Sequence, residues 1–435
     1  MFFGLYSKNI IKTKSFWIVF PKNIIFAISK IIVMENVNRP VYFKKLLDFK
    51  DKPIIKIVTG VRRCGKSTLL DLFKNHLLQS GVESNQIIYL NFEDYDNKSL
   101  RNPDNLYSYI KSVMSPDKMN YFIFDEIQIV EDFTQIIDSL YIKNNADVYI
   151  TGSNADLLSS EIATLISGRY VEIKMLPLSF LEYSTFENSI SDTQKLYVDY
   201  TRFGSFPFVP SLEKRSDLIY EYLQSLYNTI VLKDVVARNK IADVLMLQSL
   251  VEFIFDNIGN PVSSKSIADA MTSNGRKIDT KTVERYLKCL EESFIIYKAK
   301  RYDVKGKQYL KSLGKYYVVD PGFRMMLLGT RKFDSGRVLE NIIYLELLRR
   351  HSQVYIGKCD NLEIDFVAID EGGLSYYQIA ETVREPETLA RELKPLQSLS
   401  DNYPKYLLTL DVDAGGDYDG IRKINAIDWL LGNAF

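Results

Sequence analysis

The chain has 435 residues, of which 46% are hydrophobic and 25% are charged. At roughly 100 to 200 residues per domain, this length predicts two to four domains, and the apolar fraction is ample for packed cores, which excludes a disordered or fibrous chain. The 55 basic residues balance 55 acidic ones, so attraction to nucleic acid or to an anionic membrane requires a local patch. Three distant cysteines and two histidines exclude a disulfide framework, a zinc cluster and most histidine-based catalysis.

The first 33 residues differ from the rest of the chain. The apolar run between residues 15 and 33 is interrupted by Pro21 and by two lysines, so it lacks the roughly 18 consecutive apolar residues of a membrane span. It also lacks the cleavage site of a signal peptide. Two interpretations stay open, an over-extended translation start before Met34 and an interfacial anchor. We expect a cytoplasmic protein without a membrane partner.

A glycine loop between a short strand and an amphipathic helix is the most informative segment. The β-branched run from Ile54 to Val58 predicts a buried strand, and apolar residues spaced by three and four predict a helix that ends near Gly81. Between them stands Gly60-Val61-Arg62-Arg63-Cys64-Gly65-Lys66-Ser67-Thr68. Its spacing G-x-x-x-x-G-K-[ST] lets backbone N–H groups point at phosphate oxygens, at the positive end of a helix dipole.

This loop predicts a nucleotide site formed by residues 60–68. Lys66 is placed to reach the β and γ phosphates, and the Ser67 hydroxyl is placed to bind Mg²⁺. The alternative is a glycine turn with an exposed lysine. The flanking strand and helix favour the phosphate site over that alternative.

Two carboxylates end a second apolar run, from Tyr121 to Phe124. The run predicts a buried parallel strand, with Asp125 placed to coordinate Mg²⁺ through water and Glu126 placed to polarise the attacking water. Two acids at the end of an apolar strand are common in themselves. Their position downstream of the phosphate loop is what favours a catalytic role.

Three further strands are predicted at residues 87–92, 148–151 and 170–173. The second of these ends in Thr151-Gly152-Ser153-Asn154, whose polar side chains would lie beside the γ phosphate, with Asn154 as a candidate for orienting water. The alternative is that Ser153 and Asn154 only cap the next helix. The predicted fold class is α/β, a P-loop parallel sheet with helices on both faces.

Together these motifs resemble a known family, the prokaryotic AAA-type ATPases with a C-terminal region of unknown function. The resemblance runs from Arg39 to Leu431. The matching segments are residues 57–68, Phe124-Asp125-Glu126-Ile127-Gln128, Thr151-Gly152-Ser153, Ser167-Gly168-Arg169, Leu176-Pro177-Leu178-Ser179-Phe180, and Lys233-Asp234-Val235 with Arg238. The resemblance implies ATP as the nucleotide, hydrolysed with Mg²⁺.

The same resemblance makes Arg169 a candidate for contacting the γ phosphate, in its own chain or across a subunit interface. A guanidinium there would stabilise the charge of the transition state. Arg62 and Arg63 are alternatives for this role, and each of the three arginines could equally be a surface residue or part of a structural ion pair. Oligomerisation is an open expectation, because the wider class often forms rings.

A winged-helix segment is predicted after the helical residues 179–244. Helices at residues 265–271 and 280–293, a strand at 294–299 and a basic turn at 305–307 give this pattern. Between residues 245 and 312 there are 12 basic residues against 8 acidic ones. Lys281, Arg285 and Lys288 on one helix could lie across a groove of double-stranded DNA. Protein contact is an equally open alternative.

The last hundred residues are predicted to form a small α/β domain whose order of elements resembles the restriction-endonuclease core. Glu340 and Asp365 fall where that core has acidic residues. Its third strand needs an acid, one residue and a lysine, but here reads Gln378-Ile379-Ala380, so metal-dependent DNA cleavage is not expected. Residues 360–420 also hold 14 acids against four bases, which would repel a phosphate backbone. We expect a degenerate nuclease-like domain that serves protein contacts or stability.

The predicted organisation is a leader or over-extended start at 1–33, an AAA-type domain at 34–178, a helical lid or linker at 179–244, a winged-helix segment at 245–335 and a nuclease-like domain at 336–435. The predicted activity is Mg²⁺-dependent ATP hydrolysis by in-line water attack, coupled to movement of the last two regions. The alternative is a nucleotide-gated DNA- or protein-binding switch with little turnover. Both use the same motifs, so the sequence does not separate them.

Overall fold

The computed structural model describes residues 10–12, 17–19, 39–153, 168–186, 192–212, 214–330, 334–413 and 415–433. Of the first 33 residues it describes only a short antiparallel hairpin, β1 (Ile10–Lys12) and β2 (Trp17–Val19). Asn154 lies outside the described residues. Within the described part of the chain, no helix has both the length and the apolarity to cross a membrane.

The first half of the chain forms a five-stranded parallel sheet in the order β4-β5-β6-β3-β7. Its strands are β3 (Ile55–Thr59), β4 (Ile87–Asn91), β5 (Asn120–Asp125), β6 (Ala146–Gly152) and β7 (Tyr170–Lys174). The helices around it are α1 (Pro40–Asp48), α2 (Lys66–Gln79), α3 (Pro103–Val113) and α4 (Phe133–Tyr141). The predicted α/β class with a parallel P-loop sheet is confirmed.

Alternating side chains of each strand enter two different cores. On β5, Tyr121 and Ile123 pack in the core that contains the apolar face of α2, whereas Phe122 and Phe124 pack in the core that contains α3 and α4. Successive side chains of a strand point to opposite faces, so an apolar run produces a sheet that is covered on both sides. Helices therefore lie on both faces, as expected.

The helical residues that follow divide between the two halves of the molecule. They comprise α5 (Phe180–Thr185), α6 (Thr193–Phe203), α7 (Ser216–Thr229) and a π-helix at Ile230–Ala237. Helices α5 and α6 pack in a core shared with the C-terminal strands, whereas α7 and the π-helix pack in the core shared with the sheet. The segment thus connects both halves.

The next segment consists of three helices and a hairpin. Its elements are α8 (Val244–Asp256), β8 (Pro261–Val262), α9 (Ser264–Ser273), α10 (Thr280–Glu292), β9 (Ile296–Asp303) and β10 (Gln308–Val318). The strand predicted from Phe294 begins two residues later, because Phe294 itself has a left-handed φ of 57°. We call this stretch, Val244–Val318, the winged segment.

The C-terminal elements extend the hairpin of the winged segment into a single mixed sheet. They are α11 (Pro321–Leu328), α12 (Ser335–Arg350), β11 (Gln353–Cys359), β12 (Leu362–Asp370), β13 (Gly373–Ala380), α13 (Pro386–Gln397), β14 (Lys405–Thr409), β15 (Gly416–Tyr418), β16 (Ile421–Asn425) and α14 (Ala426–Leu431). The nine strands follow the order β15-β16-β14-β13-β12-β11-β9-β10-β8. The parallel pairing of β9 with β11 makes this junction, which the sequence analysis did not predict.

The buried carboxylate of Asp320 holds the loop after α6 in place through hydrogen bonds. Asp320 accepts hydrogen bonds from the Ser205 amide at 2.5 Å and its hydroxyl at 2.7 Å, and from the Phe323 amide at 3.0 Å. Burial raises the pKa of Asp320 to about 6. Gly204 has a φ of 85°, and a Cβ there would lie 2.2 Å from an oxygen of Asp320. The loop therefore requires glycine at this position for both conformation and space.

We predict that Gly204→Ala lowers the midpoint of urea unfolding much more than Gly275→Ala. The control has a similar φ of 83°, but a Cβ there meets no atom within 4 Å. The control therefore reports only the backbone strain of alanine, and the clash with Asp320 adds about 1 to 3 kcal/mol of destabilisation. Equal losses in the two variants would contradict this account of the loop.

Candidate nucleotide-binding site

The loop between β3 and α2 surrounds the N-terminus of α2. Gly65, immediately before the helix, has a φ of 104°, and Gly60 has a φ of 149°, a conformation that glycine tolerates at little cost. A Cβ at Gly60 would lie 2.1 Å from the carbonyl oxygen of Met175. The glycines thus allow the tight loop that the motif predicts, and the first N–H groups of α2 lack helical partners.

Lys66 is buried at the start of α2. Its Nζ donates to the carbonyl oxygens of Gly60 at 3.1 Å and Val61 at 3.4 Å. The same atom stands 3.6 Å from Glu126 Oε1. The ammonium is therefore held over the loop, beside the carboxylate that the sequence singles out as a base.

Asp125 is fully buried at the end of β5, and three side chains hydrogen-bond its carboxylate. Thr151 Oγ1 donates at 2.5 Å, Asn91 Nδ2 donates at 3.1 Å, and the Ser67 hydroxyl is the third donor. Burial raises the pKa of Asp125, and the bonds from Ser67 and Thr151 oppose that rise. Ser67 and Asp125 are thus brought together, as a shared metal site requires. The sequence analysis did not single out Asn91, although it is a polar residue at a strand end.

Glu126 is held in a strained backbone conformation. Its φ of 53° is left-handed, a conformation that costs energy for a residue with a Cβ and is concentrated at functional sites. Its N–H donates to Thr151 Oγ1 at 2.9 Å, and Gln128 Nε2 donates to its carboxylate. Burial opposes ionisation, but Lys66 and Gln128 together hold the pKa of Glu126 below its ordinary value. Both the backbone and the carboxylate of Glu126 are thus held in place beside Lys66.

The two loop arginines have different surroundings. Arg62 makes a bidentate contact with Asp234, through Nε and Nη2 at 3.1 Å each, and its Nη1 lies 2.8 Å from Glu93. The hydrogen bonds to Asp234 raise the pKa of Arg62 most, and the contact with Glu93 adds to the rise. Arg63 is exposed, with a left-handed φ of 66°. Arg62 therefore ties the loop to the π-helix, whereas Arg63 lies at its surface.

The structure does not bring Arg169 to the loop of its own chain. The Arg169 carbonyl accepts a hydrogen bond from Ile55 at 2.8 Å, at the first residue of β3, whereas the loop follows the last residue. A strand of five residues is about 16 Å long. The guanidinium instead contacts Asp138 on α4. A contact with the γ phosphate across a subunit interface stays a prediction.

The side chains of Val61 and Cys64, two residues of the loop, are buried. Burial raises the pKa of the Cys64 thiol. The backbone carbonyl of Cys64 accepts a hydrogen bond from Arg39 Nη1 at 3.0 Å. Arg39 is itself buried and lies 3.1 Å from Glu182. Arg39, which the sequence motifs do not single out, therefore connects the loop to Glu182 of α5.

A cavity of about 740 Å³ opens in front of the loop, within the size range of small-molecule sites. One wall consists of the loop and strand ends, and the other, which we call the helical wall, consists of residues from the α6–α7 connection, α7 and the π-helix. The lining residues are Arg62, Arg63, Gly65, Lys66, Ser67, Thr68, Asn91, Glu93, Glu126, Pro207, Phe208, Tyr222, Ser225, Leu226, Thr229 and Lys233. Four of the lining side chains, those of Arg62, Arg63, Lys66 and Lys233, are cationic, which favours the binding of an anionic ligand such as a phosphate chain.

A second cluster, in the C-terminal half, surrounds Lys315 of β10. Lys315 Nζ lies 2.9 Å from Glu340, 3.0 Å from Glu363 and 3.8 Å from Asp365. The predicted acids Glu340 and Asp365 are therefore brought together, but around an ammonium from the winged segment. Burial, followed by the charge of Glu340, raises the pKa of Asp365, which Lys315 opposes.

Comparison with known proteins places the fold. Residues 52–184 match the family model described as an AAA domain, and residues 194–334 match a domain of unknown function, DUF8612. An uncharacterized protein of Haemophilus influenzae is 40% identical over 399 residues, which cover 91% of this chain and 98% of that protein. An uncharacterized protein of Methanocaldococcus jannaschii is 28% identical over 398 residues, which cover 86% and 85% respectively.

Among solved structures, the Aeropyrum pernix ORC1 protein in complex with DNA has a TM-score of 0.31 and 10% identity, over 72% of this chain and 94% of that chain. The fold and the loop define an AAA-type P-loop protein with a nucleotide-binding site. The chain belongs to the same family as the Haemophilus protein, prokaryotic AAA-type proteins with a C-terminal region of unknown function.

We predict that Lys315→Met destabilises the protein by about 1 to 3 kcal/mol at pH 8, because the half-buried carboxylates of Glu340 and Asp365 lose their ammonium partner. Lys315 opposes the rise in the pKa of Asp365, so its loss raises that pKa further above the unfolded value, and the folded variant binds more protons than the unfolded chain. Its deficit relative to wild type should therefore shrink as the pH falls through the raised pKa values. Urea unfolding of both proteins at pH 8 and pH 5.5 measures this.

The control for that experiment is Lys305→Met. Lys305 also contacts a carboxylate, Asp360, but both side chains are exposed, so little change is expected. A deficit of Lys315→Met that is the same at both pH values, or no larger than that of the control, would contradict the assigned role of the ammonium.

Proposed function

We propose that the protein is an Mg²⁺-dependent ATPase that hydrolyses ATP by in-line attack of water. The observation that carries the proposal is that Lys66, Ser67 and Glu126 line the cavity together, with the buried Asp125 directly behind them, hydrogen-bonded to Ser67. Each of the four has the side-chain chemistry that one step of phosphoryl transfer requires. Their positions support a single reaction at this site.

In the proposed complex, the triphosphate lies over the loop and the N-terminus of α2. The unpaired N–H groups of the helix donate to phosphate oxygens, and the helix dipole favours their negative charge. Lys66 exchanges its carbonyl partners, Gly60 and Val61, for oxygens of the β and γ phosphates. An ammonium gains more from an anionic acceptor than from a neutral carbonyl, so this exchange favours binding.

Ser67 and Asp125 fit Mg²⁺, which prefers oxygen ligands and usually retains phosphate and water ligands. Within the described residues, no group of three or more histidine, cysteine, aspartate or glutamate side chains could hold a metal on its own, so the nucleotide would complete the coordination. Mg²⁺ neutralises phosphate charge when it is bound. Asn91 and Thr151 orient the Asp125 carboxylate for this role.

Glu126 is proposed to accept the proton of the attacking water. It is ionised, lines the cavity, and is oriented by Thr151 through its backbone and by Gln128 through its side chain. Asn154 remains a proposed partner that orients the water. The cationic side chains around the cavity compensate the charge that develops on the phosphate.

One set of contacts supports coupling of the loop to the winged segment. Asp234 binds Arg62 of the loop through its side chain, and its carbonyl lies 3.4 Å from the hydroxyl of Ser293, which follows α10 and donates mainly to the Cys289 carbonyl at 2.8 Å. Asp234 therefore contacts both the loop and the end of α10. This connection also favours the second candidate function, a nucleotide-gated switch with little turnover.

Double-stranded DNA is a proposed partner of α10. Lys281, Arg285 and Lys288 lie on its exposed face. The tip of the hairpin is a weaker candidate, because Lys305 there contacts Asp360 of the acidic C-terminal region. Protein partners of that acidic region are a further proposal.

We expect Lys66→Ala to weaken ATP binding by at least about tenfold, since it removes a charged phosphate contact. Glu126→Gln should bind ATP normally but hydrolyse it about 100-fold or more slowly, since it removes the base. Phosphate release and calorimetric ATP binding measure the two effects. Glu131→Gln, an exposed carboxylate five residues on, is the matched control.

Hydrolysis by Glu126→Gln at the wild-type rate would refute the mechanism. If the wild-type protein binds ATP through Lys66 but barely turns it over, the nucleotide-gated switch is the correct function.

We expect Lys281→Glu/Arg285→Glu to weaken binding of a labelled DNA duplex and to flatten its dependence on salt, because fewer counterions are released. Lys44→Glu/Lys45→Glu on α1 makes the same change of charge on an exposed helix elsewhere. Anisotropy titrations at several salt concentrations, with and without ATP, separate the two variants. Equal effects of both pairs would point to non-specific attraction and remove α10 as the DNA site.

A further inference from the structure

The helical wall of the cavity contributes one lysine, Lys233, that forms no ion pair with the described residues. Lys233 lines the cavity from the helical wall and is exposed. Its side chain makes no hydrogen bond or ion pair with any residue that the structure describes. It belongs to the segment Lys233-Asp234-Val235, which the resemblance marks without assigning a role.

The other cations of the cavity are mostly engaged. Lys66 bonds two loop carbonyls and faces Glu126, and Arg62 is held by Asp234 and Glu93. Arg169 lies at the far end of the sheet. Among the described residues, Arg63 and Lys233 are the lining cations without a carboxylate partner. Of these, only Lys233 comes from the wall that faces the loop.

The backbone of Lys233 is fixed relative to the loop. The next residue, Asp234, is buried and makes the bidentate contact with Arg62. Both residues lie on the π-helix at Ile230–Ala237, and such wide turns occur frequently at functional sites. The contact of Asp234 with Arg62 therefore fixes the backbone from which the Lys233 side chain reaches the cavity.

We propose that Lys233 contacts the terminal phosphate of the bound nucleotide from the helical wall, in the same chain. The proposal rests on the ATP site proposed above and adds the group that distinguishes a triphosphate from a diphosphate. Lys66 and the loop amides grip the phosphates from one side, and Lys233 meets the outermost one from the other. Asp234 then links the presence of that phosphate to the loop and to the end of α10.

The ratio of triphosphate to diphosphate affinity tests the proposal. Calorimetric titrations of the full chain with ATPγS and with ADP, each with Mg²⁺, should show that Lys233→Ala weakens ATPγS binding by at least about tenfold. ADP binding should change by less than about twofold, since the contact is to a phosphate that ADP lacks. Lys233→Arg, which keeps the charge, should retain most of the affinity for ATPγS.

The control is Lys240→Ala, which removes the same charge from an exposed residue outside the cavity and should change neither affinity. The proposal is overturned if Lys233→Ala weakens both nucleotides equally, since that indicates a structural or general electrostatic effect. It is also overturned if neither affinity changes, or if Arg63→Ala shows the selective loss instead.

A failure of the proposed function has a different signature. The ATP site itself is refuted if the wild-type protein binds neither nucleotide. It is also refuted if the Lys66→Ala variant binds both nucleotides as tightly as the wild-type protein does. If it binds ATPγS but does not turn over ATP, the hydrolytic mechanism fails while the contact of Lys233 stands, because the titration measures binding alone.

Discussion

All strands of the P-loop sheet run in the same direction, and this constraint decides which residues can share the site. The carboxyl ends of β3, β5 and β6 lie at one edge, so the loop, Asp125 and Thr151 meet there although they are far apart in the chain. The same constraint holds Arg169, which precedes β7, at the opposite edge. A residue's place before or after its strand thus determines whether it reaches the nucleotide of its own chain.

The ion pair between Arg62 and Asp234 is the second constraint. A bidentate pair that is largely removed from solvent is costly to separate, because either charge alone would remain poorly solvated. The pair joins the loop to the helical wall next to the cavity. The helical wall therefore moves together with the loop. A site formed between the helical wall and the loop is sensitive to any change in the distance between them.

The parts of the site that carry local signals could be predicted from the sequence. The glycine spacing of residues 60–68 and the apolar run before Asp125 are each complete within a dozen residues, and both describe backbone geometry that their own residues impose. Lys233 carries no such signal, because its approach to the cavity depends on packing between segments about 170 residues apart. Likewise, Gln378 and Ala380 indicate the lack of an acid and a lysine, but not that Lys315 supplies an ammonium from another segment. The pairing of β9 with β11 brings it there, and strand pairing over that distance leaves no local pattern.

That pairing also covers one edge of the hairpin. An open strand edge presents unpaired N–H and C=O groups that invite pairing with another chain. β9 is bonded to β10 on one side and to β11 on the other, so the hairpin of the winged segment has its inner edge sealed within the same polypeptide. The C-terminal strands therefore cover a hydrogen-bonding edge that the hairpin alone would leave open to another chain.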